Sequence, residues 1–384
     1  MLSEHRIQEV IQRYEDWWAR RNDRPVCYMI YPRRPQFDPA RVKPWMARPL
    51  VEKWTTYIHE FLLGQALELA LRDGDWRYVD EAIDFFKHYA ELTESAAEGY
   101  HFLNPNFGPG SLSAYLTGFS EFKETTIWLE LPQPMEWDAL LAINDQTRAP
   151  YADAALEAVR RLVARVQKDF VIGEPDHGGV VDVLASLRGT QNLLMDLLVE
   201  PENVTRVLLA LERIWFRYFD EFHSIIAPGN HGAHAVVMRY LSAKPMTLGI
   251  CDFSAMISPD QFREFCAPFL QRQFERFEGR AVYHMDGPGQ IPHLDQLCAM
   301  DSLFAIQWVQ GAGNPGPLSE RWDPLYRKML DAGKRVCLGG LPKDTDAVRR
   351  FFEKYPAREF QFSARPNNPE EAEAIVRFIE TLPR

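Results

Sequence analysis

His284 and Asp286 lie two residues apart in Ala281-Val-Tyr-His-Met-Asp-Gly-Pro-Gly289, where a short apolar run ends. In an extended strand alternate side chains share a face, so these two would point the same way. An imidazole beside a carboxylate can bind a metal, move a proton or orient a polar substrate. Gly287-Pro288-Gly289 breaks the chain at once and leaves room for a ligand near the backbone. The stretch reads as a buried strand that delivers two polar side chains to an open rim and then turns. His284 and Asp286 are therefore the first candidates for catalysis and for metal ligation.

Other residues could join them. Cys251 and Asp252 precede a long helix, and a thiolate or a carboxylate there could complete a zinc site with His284. Asp252 is also a candidate catalytic group. Cys337 lies in Val336-Cys-Leu338, where a core thiol is the ordinary reading and metal ligation the functional one. No HxH, HExxH or CxxC spacing occurs, so the ligand set is not fixed by motif. Asp176-His177-Gly-Gly179 offers His177 as an acid or base and Asp176 as a substrate contact; a turn closed by an Asx bond is the structural alternative. Arg33 and Arg34 could clamp a carboxylate or phosphate. Arg239, Gln307, Tyr283 and Trp308 complete the candidate substrate-binding set, although aromatic residues in strands more often belong to the core. Phe107-Gly-Pro-Gly110 lacks a following Lys-Ser/Thr and is not a phosphate-binding P-loop.

These residues need elements to hold them. Ile7, Val10, Ile11, Tyr14, Trp17 and Trp18 recur at helical spacing after a capping Ser3, which predicts an N-terminal helix within residues 1–24. A strand is expected over 25–31 and a helical region over 50–72. From 150 the pattern is regular. Helices are expected at 151–168, 190–198, 202–226, 259–278, 291–299, 321–332 and 345–354. Strands are expected at 170–172, 235–238, 281–284, 304–309, 335–338 and 359–363. Ser258, Pro259 and Gln261 have the spacing of a capping box. Short strands alternating with helices imply βα units and a parallel sheet. Seven strands are counted, and an eighth in the less regular 75–140 region would complete a single (β/α)8 TIM-type barrel over 1–384, with an N-terminal helical extension and long rim loops. An open doubly wound sheet would be expected to carry a Gly-rich loop after its first strand, and none is present. In a barrel, chemistry sits on the loops after the strand C-termini, where the residues above fall.

The bulk numbers narrow the partners. The formal net charge of −11 disfavours nucleic acid and anionic membranes. Five scattered cysteines suggest reduced thiols and a cytoplasmic setting, and no apolar run reaches the length of a membrane span. Five tryptophans fall in the first 80 residues, where they are expected to seal the barrel bottom or a dimer face.

The segment Ile257-Ser-Pro-Asp-Gln-Phe-Arg-Glu-Phe265, with Pro268, Tyr283-His284, Ile306-Gln-Trp308 and Gly333-Lys334, resembles the C-terminal half of the uroporphyrinogen decarboxylase superfamily. Asn106-Phe-Gly-Pro-Gly110, Leu187-Arg-Gly189, Asp196 and Pro201-Glu202 look like the same group. The resemblance implies a single β/α barrel. That superfamily holds porphyrinogen decarboxylases, zinc-dependent corrinoid methyltransferases and relatives of cobalamin-independent methionine synthase. Its decarboxylases carry Arg-Gln-Ala-Gly-Arg after the first strand, where this chain has Ile30-Tyr-Pro-Arg-Arg34. Its thiol methyltransferases carry His-x-Cys and a later Cys, where this chain has His284-Met-Asp286. The resemblance thus implies a zinc-dependent methyltransferase that uses a His/Asp site, acts on a small molecule with a corrinoid carried by a partner protein, and forms a homodimer. The alternatives are a metal-free decarboxylase or lyase anchored by Arg33 or Arg34, and a non-catalytic binding protein on the same scaffold.

Overall fold

In the computed structural model of the chain, residues 3–33, 37–342 and 344–383 are described. Arg34 lies outside them. The chain resolves into two compact units. The first comprises residues 1–35, 92–101 and 239–384, and the second residues 36–91 and 102–238.

The first unit is built on a seven-stranded, mostly parallel sheet flanked by helices, an α/β arrangement consistent with a TIM-type fold. Its order is Thr93–Ala97, Val26–Pro32, Phe360–Ala364, Arg335–Gly340, Ala305–Val309, Ala281–Asp286 and Thr247–Ile250. All neighbours pair in parallel except Thr93–Ala97, which runs antiparallel to Val26–Pro32. That antiparallel strand is a departure from an unbroken βα series. It arises because Thr93 follows directly on the Arg77–Leu92 helix and turns back at Ala97, which adopts a φ of +48°.

The central strands are buried almost throughout, as strands covered on both faces must be. All six apolar positions read from the N-terminal helix, Glu4–Trp18, are buried, and Ser3 caps it by accepting from the Arg6 amide. Trp17 and Trp18 pack on Phe304 at 4.9 and 4.6 Å, next to the N-terminal end of the Ala305–Val309 strand. Two of the early tryptophans thus cover the end of the sheet opposite His284 and Asp286.

Two expectations change. The helix expected over 259–278 is two helices, Pro259–Phe265 and Ala267–Arg276. Pro268 explains the break, since proline has no amide proton and its ring crowds the carbonyl four residues back. The capping box does form, with Ser258 and Gln261 bonding each other's backbone amides. The strand Thr247–Ile250 was not expected: four residues carrying Gly249 give too short a signal. Gly249 is required there, because an added Cβ would lie 2.5 Å from the Phe274 ring.

The second unit is mainly helical. Pro150–Val166, Val180–Arg188, Thr190–Val199 and Pro201–Ile226 surround a short parallel pair, Phe102–Leu103 with Val171–Ile172. The strands expected at 170–172 and 235–238 lie here, as Val171–Ile172 and His234–Val236, and not in the seven-stranded sheet. The Val180–Arg188 helix was not anticipated. It is separated from the next helix only by Gly189, whose φ of +81° turns the chain. Among the described residues no helix is long and apolar enough to cross a membrane.

Candidate functional site

Asp252, His284 and Asp286 come together in the first unit. One ligand atom from each lies within 4.8 Å of the others, the geometry of a candidate metal site. Two neighbouring strands create it. Ala281–Asp286 carries His284 and Asp286 on one face, and Asp252 follows the parallel strand Thr247–Ile250, whose Ile250 is in register with His284.

His284 is oriented from the other side. It pairs in register with Gln307 on the Ala305–Val309 strand, and His284 Nδ1 lies 2.6 Å from Gln307 Oε1. The amide oxygen can only accept, so Nδ1 carries the proton and donates. Nε2 is left for a metal or for proton exchange. A second partner of this kind is a regular feature of metal-binding histidines. Gln307, expected as a substrate contact, has its amide oxygen turned to the His284 ring.

The turn bearing Asp252 is held firmly. Ser254 donates its amide and hydroxyl to the Cys251 carbonyl at 3.1 and 2.6 Å. His293 Nε2 lies 2.7 Å from the Ser254 carbonyl, and its ring stacks on Phe262 at 4.4 Å. Gly289 lets the next turn press against this one, since a Cβ there would lie 2.9 Å from Ala255 Cβ. Gly287 has a φ of +84° and open space around its α-carbon, so the Gly-Pro-Gly sequence makes both a close contact and an open rim.

Burial pushes the Asp252 carboxyl above the ordinary carboxylate range; His284 opposes this, the nearby Asp286 adds to it, and Gln290 offsets part of it. Two carboxyl groups beside an oriented imidazole form a set whose proximity a divalent cation would relieve.

The remaining candidates are placed elsewhere. Tyr283 and Trp308 lie on the opposite strand faces from His284 and Gln307 and are fully buried. Tyr283 donates to Gln290 at 3.0 Å, and Trp308 packs edge-on against Trp322. Neither thiol joins the cluster. Cys337 is fully buried and its thiol is pushed well above its usual range by desolvation, the behaviour of a core cysteine. Cys251 is buried and contributes its backbone carbonyl to Ser254. Arg33 is exposed and pairs with Glu94 at 3.3 Å. Arg239 adopts a φ of +66° with its guanidinium over the Tyr28 ring, and its carbonyl accepts from the hydroxyls of Tyr14 and Tyr100.

Asp176 and His177 belong to the second unit. Asp176 Oδ1 accepts from the Gly178 amide at 2.8 Å, the Asx turn weighed in the sequence. Gly178 closes that loop against Gly110, where a Cβ would come within 2.6 Å of the Gly110 α-carbon. His177 is buried among Tyr115, Trp215 and Phe222. Desolvation holds its pKa down to about 4, with Glu174 opposing.

A second cluster in this unit has no motif in the sequence: Glu174, His223 and His234 also bring ligand atoms within 4.8 Å of one another. The available signal was positional. Glu174 follows the Val171–Ile172 strand and His234 begins another strand, while His223 sits in the last turn of the Pro201–Ile226 helix.

No family model matches the chain, and no curated protein matches it. Among solved structures, the chain is similar to a methyltransferase from Methanosarcina mazei, with a TM-score of 0.57 over 97% of this chain and 98% of that one. The two are 11% identical in sequence, so what they share is the fold.

Proposed function

We propose that the chain is a zinc-dependent methyltransferase in which Asp252, His284 and Asp286 hold the metal at the C-terminal end of the sheet. In this reading a methyl group passes between a small molecule and a corrinoid carried by a partner protein, on a closed TIM-type barrel of the uroporphyrinogen decarboxylase kind. The observation that carries it is the convergence of three donors on one point, with His284 locked by Gln307 so that one ring nitrogen stays free. The likeness to a methyltransferase supports it at the level of the fold.

The donor set fits the metal. Zinc accepts imidazole and carboxylate ligands, and catalytic zinc sites keep three protein ligands and one open position. When bound, zinc acts as a Lewis acid that polarises the heteroatom gaining or losing the methyl group. Gln307 fixes the tautomer of His284. The 3-10 turn Asp252–Met256, tied down through Ser254 and His293, fixes Asp252. Asp286 and Asp252 are both exposed, so either carboxylate can meet the substrate while His284 lies behind them. Gly287, with open space where a side chain would point, leaves that approach clear.

Metal analysis coupled to turnover tests this. The protein is incubated with ZnCl2, exchanged into metal-free buffer and assayed for methyl transfer from methylcobalamin to a thiol. His284→Ala is expected to lose about one zinc equivalent and the methyl-transfer activity together. A variant that keeps both the metal and the activity of the parent overturns the reading.

A further inference from the structure

We infer that Glu174, His223 and His234 form a second divalent-metal site, selective for a zinc-class cation and independent of the Asp252–His284–Asp286 site. His223 Nδ1 lies 3.1 Å and His234 Nε2 3.4 Å from the same carboxylate oxygen, Glu174 Oε1. The ligand edge of a tetrahedron with bonds of about 2.0 Å is about 3.3 Å, which these separations match. Two edges of the donor triangle thus match a zinc tetrahedron, and all three donor atoms lie within 4.8 Å of one another.

The other Glu174 oxygen argues against a purely structural network. Glu174 Oε2 is buried without a hydrogen-bond partner, although Glu174 is only 4% exposed. Both histidines crowd one oxygen while the second is left unsatisfied, an arrangement that costs energy when nothing else is bound. A cation would meet the unsatisfied Glu174 oxygen and give the buried carboxylate the partner it lacks.

The surroundings also suit a metal. Glu174 is fixed by its amide, which donates to the Ala235 carbonyl at 2.9 Å. Asn230 ties the preceding strand to the His234 loop, accepting from the Ile172 amide and donating to the Ile172 and Ala233 carbonyls. Phe219, one turn before His223, stacks on the His223 ring at 5.6 Å and flanks His234 at 5.6 Å. Imidazole and carboxylate ligands in a dry aromatic shell favour zinc-class ions over calcium or magnesium, which require more oxygen ligands. His223 remains part-exposed, which gives an ion a way in.

The test uses the full chain in a His284→Ala background, so that the first site does not contribute. The protein is loaded with ZnCl2, exchanged into metal-free buffer and its zinc counted; thermal melting is followed with and without ZnCl2. The expected result is about one retained zinc and a higher Tm with zinc, both lost on adding Glu174→Gln or His223→Ala. His223 lies on the part-exposed end of a helix, so His223→Ala gives a folded readout even where Glu174→Gln does not. No retained zinc in the His284→Ala protein, or zinc retained equally after His223→Ala, overturns the inference. Because the readout is made without the first site, its failure and the failure of the proposed function are separately visible.

Discussion

Gln307→Leu is expected to weaken zinc binding about 10- to 100-fold while leaving the fold intact. Leucine is close in size to glutamine and suits the apolar Ala305–Val309 strand, so the packing cost is small. What it removes is the acceptor 2.6 Å from His284 Nδ1. Without that acceptor the ring is free to turn and to present either nitrogen. A histidine that must be ordered by the metal binds it less tightly than one ordered beforehand. Zinc affinity measured by competition with a chromogenic chelator checks this. Gln307→Glu offers a stronger acceptor at the same place and is expected to keep or raise the affinity. If Gln307→Leu binds zinc as the parent does, Gln307 does not position the histidine.

The second large effect is on stability in acid. His177 is held to a pKa of about 4 by burial. An unfolded histidine titrates near 6.5. Between these values the unfolded chain binds a proton that the folded chain refuses, so acid favours unfolding. The stability tied to neutral His177 is fully present above about pH 6.5 and is lost as pH falls towards 4. A shift of this order is worth up to about 3 kcal/mol. His101, also buried and held to about 4 chiefly by desolvation, adds a loss of the same sign in the same window. His177→Phe fills the same aromatic surroundings with a ring that cannot protonate. It is expected to flatten the acid limb of a denaturation series between pH 7 and pH 4.5. An acid limb of unchanged slope in His177→Phe would show that His177 is not the responsible group.

These effects follow from contacts the sequence displayed unequally. The Ala281–Asp286 strand was legible because an apolar run, a polar pair and a Gly-Pro-Gly break coincide there. The N-terminal helix was legible because six apolar residues keep one helical face. Asp252 stood out as a polar residue just before a capped helix, although the strand in front of it did not. The role of Gln307 was hidden. It depends on the register that sets Gln307 opposite His284, and register is decided by sheet pairing across 23 residues of chain. The same pairing moves Tyr283 and Trp308 to the far face, because alternation sends every second side chain away from the site.

The second cluster was hidden for a related reason. Its members come from a loop, a helix end and a strand start, and only tertiary packing joins them. Asp176 and His177, two and three residues beyond Glu174, are the more conspicuous in the sequence because glycines follow them. The structure spends Asp176 on an Asx turn. The cysteines lie outside both clusters: thiols are strong zinc ligands in general, yet Cys337 sits in a strand interior where burial raises its thiol pKa. In the proposed site a second carboxylate, Asp286, would stand in for a thiol and make the ligand set harder.

X-ray absorption at the zinc edge of the zinc-loaded His223→Ala protein, in which the second cluster does not contribute, tests the proposed ligand set most directly. A first shell of nitrogen and oxygen at about 2.0–2.2 Å, with no sulfur, is the result expected for Asp252, His284 and Asp286. A sulfur contribution at about 2.3 Å would contradict it, because only a cysteine drawn into the site supplies one.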